Sequence, residues 1–329
     1  MSRAVAAALL REQTADPWRC WICHAPVRWP GPEALWVDLA SGALGSSDGE
    51  PELLAALQGP RLGDVLYLPP VPPALVAARD RLAAQHASRG TPVVVQLLPD
   101  DARPAGAVTT EGLMVVWDLL AFALAGEGST TSVAAPRAAR RGDGAALPLL
   151  PGAADEKRLD ALAAALAAAG VTVLQGLPLE LSGRDRRTLA ESAGDSLSEA
   201  SYLRIFHGEA PSAAPLARAA ARHGLLPLLP RPLPRPPLRG AANLRIAGAL
   251  ASCGEICMLL GEPESRAQAL LRAARFAERE GRDLAALARD GNLAVLPWLE
   301  GEALQVAGEV AAGAEATVWQ QLLARLRAA

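Results

Sequence analysis

Pro227-Leu-Leu-Pro-Arg-Pro-Leu-Pro-Arg-Pro-Pro237 divides the sequence into two differently patterned regions. Six prolines in eleven residues remove too many amide donors for a regular helix or an interior strand. The stretch reads as an extended, semi-rigid connector. Short apolar runs alternate with helical ones before it, and every segment after it has helical periodicity. The expected organisation is an α/β domain over 1–226, a proline-rich linker over 227–239 and an all-α domain over 240–329.

Upstream, strands are expected at Ala34–Leu39, Asp64–Leu68, Pro92–Leu98, Gly112–Asp118, Ala146–Leu150, Val171–Leu174 and Tyr202–Phe206, with an eighth candidate at Leu225–Leu229. Helices are expected at Ala74–Ser88 and Asp155–Ala169. The second opens on acids and closes at Gly170, which suits the helix dipole and a C-terminal glycine. Strand–helix–strand alternation predicts a parallel α/β sheet, closed partly or completely into a barrel. The polar Ser129–Gly144 segment reads as a loop.

Downstream, Ile246, Leu250, Cys253, Ile256, Cys257 and Leu260 follow helical spacing across Asn243–Leu260. Further helices are expected at Ser265–Glu280, Asp283–Asp290, Gly301–Ala312 and Thr317–Leu326, with Gly261, Gly281, Gly291 and Gly313 between them. Cys253 and Cys257 lie four apart on the apolar stripe and are expected to be buried thiols rather than ligands.

Of 329 residues, 51% are hydrophobic and 20% charged, enough apolar side chain to bury a core. Only Lys157 is a lysine; the other 31 basic residues are arginines. The net charge of −3 implies no dominant polyanion-binding surface, although a local patch is compatible with it. No apolar run reaches the roughly 18 residues that would cross a membrane, so no membrane partner is expected. The opening residues break at Arg11-Glu12 and do not read as a secretory signal. Four cysteines do not make a disulfide scaffold, and the expected compartment is a reducing cytoplasm.

The downstream region carries a specific resemblance. Asn243-Leu-Arg-Ile-Ala247, Leu259-Leu-Gly-Glu262, Arg266 through Arg275, Asp283-Leu284 and Gly291-Asn-Leu-Ala-Val-Leu-Pro-Trp-Leu299 occur in order over about 80 residues. This arrangement resembles the N-terminal helix-hairpin-helix domain of X-family DNA polymerases. The resemblance implies that hairpin amides hold a DNA phosphate and that a lysine can attack an abasic sugar. Two features depart from it. The hairpin reads Leu296-Pro-Trp-Leu-Glu-Gly301, with Trp298 and Glu300 where close backbone approach to phosphate needs glycine. No lysine occurs in the domain, which excludes Schiff-base lyase chemistry. Nine arginines against eleven acids leave Gly240–Ala329 at −2, so weak DNA binding is expected. Arg272, Arg275, Arg279 and Arg282 would share one face of a helix that persists that far. They read either as a phosphate-contacting stripe or as a solvated face.

The upstream region resembles radical SAM proteins of the spore-photoproduct-lyase type. The residues behind this are Asp64-Val-Leu-Tyr-Leu-Pro-Pro-Val-Pro-Pro73, Arg89-Gly-Thr-Pro-Val-Val-Val-Gln96, Leu147-Pro-Leu-Leu-Pro-Gly152, Asp155-Glu156, Ala169-Gly-Val171, Gly176-Leu-Pro-Leu-Glu-Leu181, Arg184-Asp-Arg-Arg187 and Tyr202-Leu-Arg-Ile-Phe-His-Gly208. The resemblance implies a C-x3-C-x2-C loop whose thiolates hold a [4Fe–4S] cluster that binds S-adenosylmethionine. Here the loop reads Asp16-Pro-Trp-Arg-Cys20-Trp-Ile-Cys23-His24, with Asp16 in the first position. Two thiolates and a hard carboxylate are a weak substitute for three soft sulfurs.

Cys20 and Cys23 therefore keep several readings: a vestigial pair, ligands of iron–sulfur with Asp16 in the first position, ligands of zinc with His24, His207 or an acid such as Asp16 completing the site, or a redox dithiol. The string also matches a c-type haem attachment, which would require export. His207, Asp38, Asp64 and Asp118 flank strands as barrel-site groups would, and as loop residues commonly do. No phosphate-binding G-x-x-x-x-G-K-[ST] or zinc-protease H-E-x-x-H string occurs. The expected function is that of a catalytically degenerate radical-SAM-derived protein acting through protein or weak nucleic-acid contacts. The alternatives are an active iron–sulfur enzyme of nucleic-acid modification or repair, and a metal-free interaction scaffold.

Overall fold

The structure is a computed structural model and describes residues 35–36, 66–68, 76–88, 92–97, 113–119, 141–149, 155–178, 212–230 and 241–329. Within these, elements follow in the order β1 (Leu35–Trp36), β2 (Leu66–Leu68), α1 (Val76–Ser88), β3 (Val93–Leu97), β4 (Leu113–Asp118), β5 (Gly144–Leu149), α2 (Glu156–Ala168), β6 (Val173–Pro178) and α3 (Ala214–Arg222). Five helices follow: α4 (Ala241–Leu259), α5 (Glu264–Arg279), α6 (Leu284–Arg289), α7 (Gly301–Ala311) and α8 (Thr317–Ala328), with a 3-10 turn at Leu293–Val295. Contacts divide the chain into two compact units. One carries Leu97 and the described residues of Val116–Leu229, and the other those of Ala25–Gln96, Ala102–Val115 and Pro230–Ala329.

The α/β class is present. β1, β2 and β3 pair in parallel with Leu66 opposite Leu35 and Val93. β4, β5 and β6 pair in parallel with Val116 opposite Gly144 and Gly144 opposite Val173. Parallel strands covered on both faces read as continuous apolar runs, and Val93, Val94, Val95, Val115, Val116 and Trp117 are buried accordingly.

Buried polar groups fix the register of the second strand group. Asp143 lies just before β5 and is 3% exposed, yet its Oδ2 accepts a 2.9 Å hydrogen bond from Trp117 Nε1. Its carbonyl accepts from the Thr172 amide at 2.9 Å, so one residue ties the end of β4 to the starts of β5 and β6. Gln175 Oε1 accepts from the Leu229 amide at 3.0 Å. Leu226 pairs with Val173 as a single parallel bridge, which is what the candidate strand at Leu225–Leu229 amounts to.

Some boundaries differ from those expected. β5 starts two residues earlier, at Gly144, where a Cβ would lie 2.4 Å from Leu229 Cδ2 and could enter only if the Leu229 side chain shifted. β6 runs on to Pro178, since a proline at the end of a strand removes no ladder donor that is needed. Helix α3 is not among the expected elements. Pro215 in its first turn reads as a breaker but is compatible there, and Leu216, Ala217, Ala219, Ala220 and Ala221 are buried. The Tyr202–Phe206 strand lies outside the described residues.

The five helices match the expected ones to within two residues at each end, and no strand occurs among residues 241–329. Ile246, Ala247, Leu250, Cys253, Ile256 and Cys257 of α4 pack in the core with Ala267, Leu270, Ala274 and Ala277 of α5. Asp283 caps α6, its Oδ1 accepting from the amides of Ala285 and Ala286. Gly261, Gly291 and Gly313 take positive φ after α4, α6 and α7, as helix-ending glycines do. Glu262 accepts from Arg266 at 2.9 Å and also pairs with Arg325 of α8, while Arg266 reaches Glu302 of α7 at 2.7 Å.

Asn243 is the polar centre of this array. It is 3% exposed, donates to the carbonyls of Glu280 and Arg282 at 2.9 Å each, and accepts from the Leu284 amide at 2.9 Å. Asn243→Ala is expected to destabilise the helices by about 2–4 kcal/mol, because three bonds go and a buried donor is orphaned. Urea unfolding followed by helical circular dichroism reads this directly. A shift below about 0.5 kcal/mol would mean that water replaces the side chain. No helix among the described residues is long and apolar enough to cross a membrane.

Candidate functional site

Helix α5 places the basic residues. Its inward stripe is alanine and leucine, so the arginines fall on the opposite side, with Arg272 and Arg279 exposed and Arg275 half-buried. The helix ends at Arg279, and Glu280 is extended with φ −64° and ψ 121°. Arg282 consequently leaves the stripe that an unbroken helix would have given. Its Nε and Nη2 each lie 2.9 Å from a Glu280 carboxylate oxygen, which neutralises it locally.

Arg272, Arg275 and Arg279 make no ion pair among the described residues. Arg275 Nε is buried and has no hydrogen-bond acceptor. Burial, and then the neighbouring charge of Arg279, pull the Arg275 pKa below its usual value. The Nε–H has lost water and gained no acceptor, a local desolvation cost carried by that one donor.

The structure adds two aromatic residues to this face. Phe276 lies four residues after Arg272 and three before Arg279, hence between them on the helix surface. It is 48% exposed and stacks on Trp298, with ring centroids 5.7 Å apart and planes at 27°. Trp298 sits in the turn before α7, where the resemblance would have a phosphate-holding hairpin. In that turn the Leu299 amide is already bonded to the Leu296 carbonyl at 3.0 Å. The ring thus joins the α5 face instead of opening the backbone.

That pairing is invisible in the sequence, since the two residues are 22 apart. The available signal is a large apolar residue, Phe276, set within an arginine face. Val295, three residues before Trp298, is the other exposed large hydrophobic among the described residues, at 60%. A concavity of about 370 Å³ lies by α6 and α7, lined largely by alanine and glycine with Arg289 at its edge.

The remaining candidates fare differently. Asp16, Cys20, Cys23 and His24 lie outside the described residues, as do Asp38, Asp64 and His207. Asp118 is the last residue of β4. Cys253 and Cys257 are free, buried thiols, and burial pushes Cys253 up to about 12, so neither is poised as a thiolate ligand. No group of three His, Cys, Asp or Glu with metal-binding geometry occurs among the described residues. Glu255, which no sequence motif singles out, is a buried carboxyl inside α4, and burial alone raises it to about 8. No family model, no curated protein and no solved structure matches this chain.

Proposed function

We propose that the chain is a catalytically degenerate, radical-SAM-derived protein that works by contact, engaging protein or weakly engaging nucleic acid through a helix-hairpin-helix-like module. In this reading the parallel strands belong to a partial or complete α/β barrel over 1–226, and the helices of 240–329 form a separate domain beyond the proline linker. The observation that carries it is the α5 face: three arginines without ion pairs among the described residues, around an exposed Phe276 stacked on Trp298. Aromatic residues and arginines at the centre of a surface are the residue types that dominate binding energy.

The donor set at Asp16, Cys20, Cys23 and His24 supports the degenerate reading. It does not fit a three-thiolate [4Fe–4S] site, because a carboxylate stands in the first position. Zinc, which accepts mixed sulfur, nitrogen and oxygen donors, is compatible with it.

The test has two arms on the full chain. Poly-L-glutamate and a single-stranded oligonucleotide are titrated against the parent and Arg272→Glu/Arg279→Glu. At least one probe is expected to bind the parent and to lose tenfold or more in the variant. The second arm is metal analysis after anaerobic purification. Near-stoichiometric iron that vanishes in Cys20→Ala/Cys23→Ala, together with reductive cleavage of S-adenosylmethionine, would make the protein an enzyme and overturn the proposal.

A further inference from the structure

We infer that the ligand of the α5 face is a protein segment: a short acidic stretch with one aromatic or large aliphatic anchor seated on Phe276 and Trp298, its carboxylates on Arg272 and Arg279. The inference rests on the contact reading above and names the partner at that same site.

Spacing is the first argument. Arg272 lies about 6 Å along the helix axis on one side of Phe276, and Arg279 about 4.5 Å on the other, at 1.5 Å per residue. An extended peptide repeats its side chains on one face about every 6.6 Å, that is, every second residue. An anchor over Phe276 therefore brings residues two before and two after it toward opposite arginines. The segment expected is acid–x–anchor–x–acid.

Charge is the second. Arginine pairs with carboxylate through two parallel hydrogen bonds, and Arg272 and Arg279 are exposed with no ion pair among the described residues. The basic strip is short, however. The residues from Gly240 to Ala329 sum to −2, and Glu278 and the exposed Glu300 border the strip near Arg279 and Trp298. A nucleic acid carries a phosphate at every nucleotide and would bring charge against these acids. A peptide can confine its charge to the residues that face arginine.

Aromatic exposure is the third. Phe276 keeps 48% of its surface open although it is packed on Trp298. An exposed ring held rigid by a stacked neighbour costs little conformational entropy when it is covered.

The experiment selects a displayed library of random short peptides on the full-length protein, on Arg272→Glu/Arg279→Glu and on Phe276→Ala. All three residues are partly or fully exposed on an intact helix, and helical circular dichroism checks each variant's fold. The pool enriched on the parent is expected to place Asp or Glu two residues either side of an aromatic or large aliphatic residue. A peptide synthesised from that pool should lose at least tenfold in affinity for either variant. Enrichment without acids, or equal binding to the variants, overturns the inference. An oligothymidylate is titrated in parallel. If it binds and depends on the same residues while no selected peptide does, the ligand is nucleic acid: the inference falls and the contact reading stands. If neither probe distinguishes parent from variants, both fall.

Discussion

At pH 8, Glu255→Gln is expected to stabilise the helices by several kcal/mol, and at pH 4.5 the gain should vanish. Glu255 is 5% exposed, and desolvation, with no compensating cation, raises its pKa to about 8. In the unfolded chain the same carboxyl titrates near 4.5. Between these values the native state keeps a proton that the unfolded state has released. Stability is therefore fully present below the unfolded value and declines as pH rises, by about 1.4 kcal/mol per unit. Over the whole window this amounts to about 4 kcal/mol, and the slope disappears above the native pKa. Glutamine keeps nearly the same shape and carries no titrating proton. Urea unfolding of both proteins at half-unit intervals from pH 4.5 to 8.5 measures the difference. A constant difference across that range would show that Glu255 ionises freely in the native protein.

Gly254→Ile should have the opposite effect, lowering stability by about 3 kcal/mol or more and loosening the α4–α5 pair. A Cβ at Gly254 would lie 2.8 Å from Leu271 Cγ and 3.1 Å from the Ala267 carbonyl oxygen. Leu271 can rotate, but Ala267 O belongs to the α5 backbone and moves only with the helix. A branched side chain must then push α4 and α5 apart, although their buried faces are mostly alanine and leucine and pack closely. Gly254→Ala is the milder case. Its methyl group strains the same contact, while helix propensity returns up to about 1 kcal/mol. Thermal unfolding should place alanine near the parent and isoleucine far below it. An isoleucine variant within about 0.5 kcal/mol of the parent would mean that α5 is displaced at little cost.

The downstream helices were legible because each signal was local. Asp283 marked a start, Gly261, Gly291 and Gly313 marked ends, and the Ile246–Leu250–Cys253–Cys257 stripe marked the buried side. Upstream, alternation gave the class and the parallel pairing, yet α3 went unassigned although Arg218 and Arg222 contrast with a buried alanine face, because it is only nine residues long and opens on Ala214-Pro215 with no side-chain cap. The candidate site was half legible. Arginine spacing identified the α5 face, but the length of α5 decided which arginines stay on it, and Arg282 turned to Glu280. The Phe276–Trp298 stack depends on how the turn before α7 returns to α5, which no local pattern encodes. Glu255 was hidden for a different reason: an acid beside Gly254 in α4 looks like a surface position until packing closes over it.

The Asn243 bonds also govern how amide hydrogens of the array exchange with solvent. First-turn amides of a helix lack carbonyl partners and ordinarily exchange through fraying of that turn alone. The Leu284 amide instead points to the side chain of a residue 41 positions earlier, itself buried at the start of α4. Its exchange is expected to require loss of this contact between the start of α4 and the start of α6. Deuterium uptake at Leu284 is therefore expected to follow the contact between α4 and α6, two elements far apart in sequence, rather than the fraying of α6 alone.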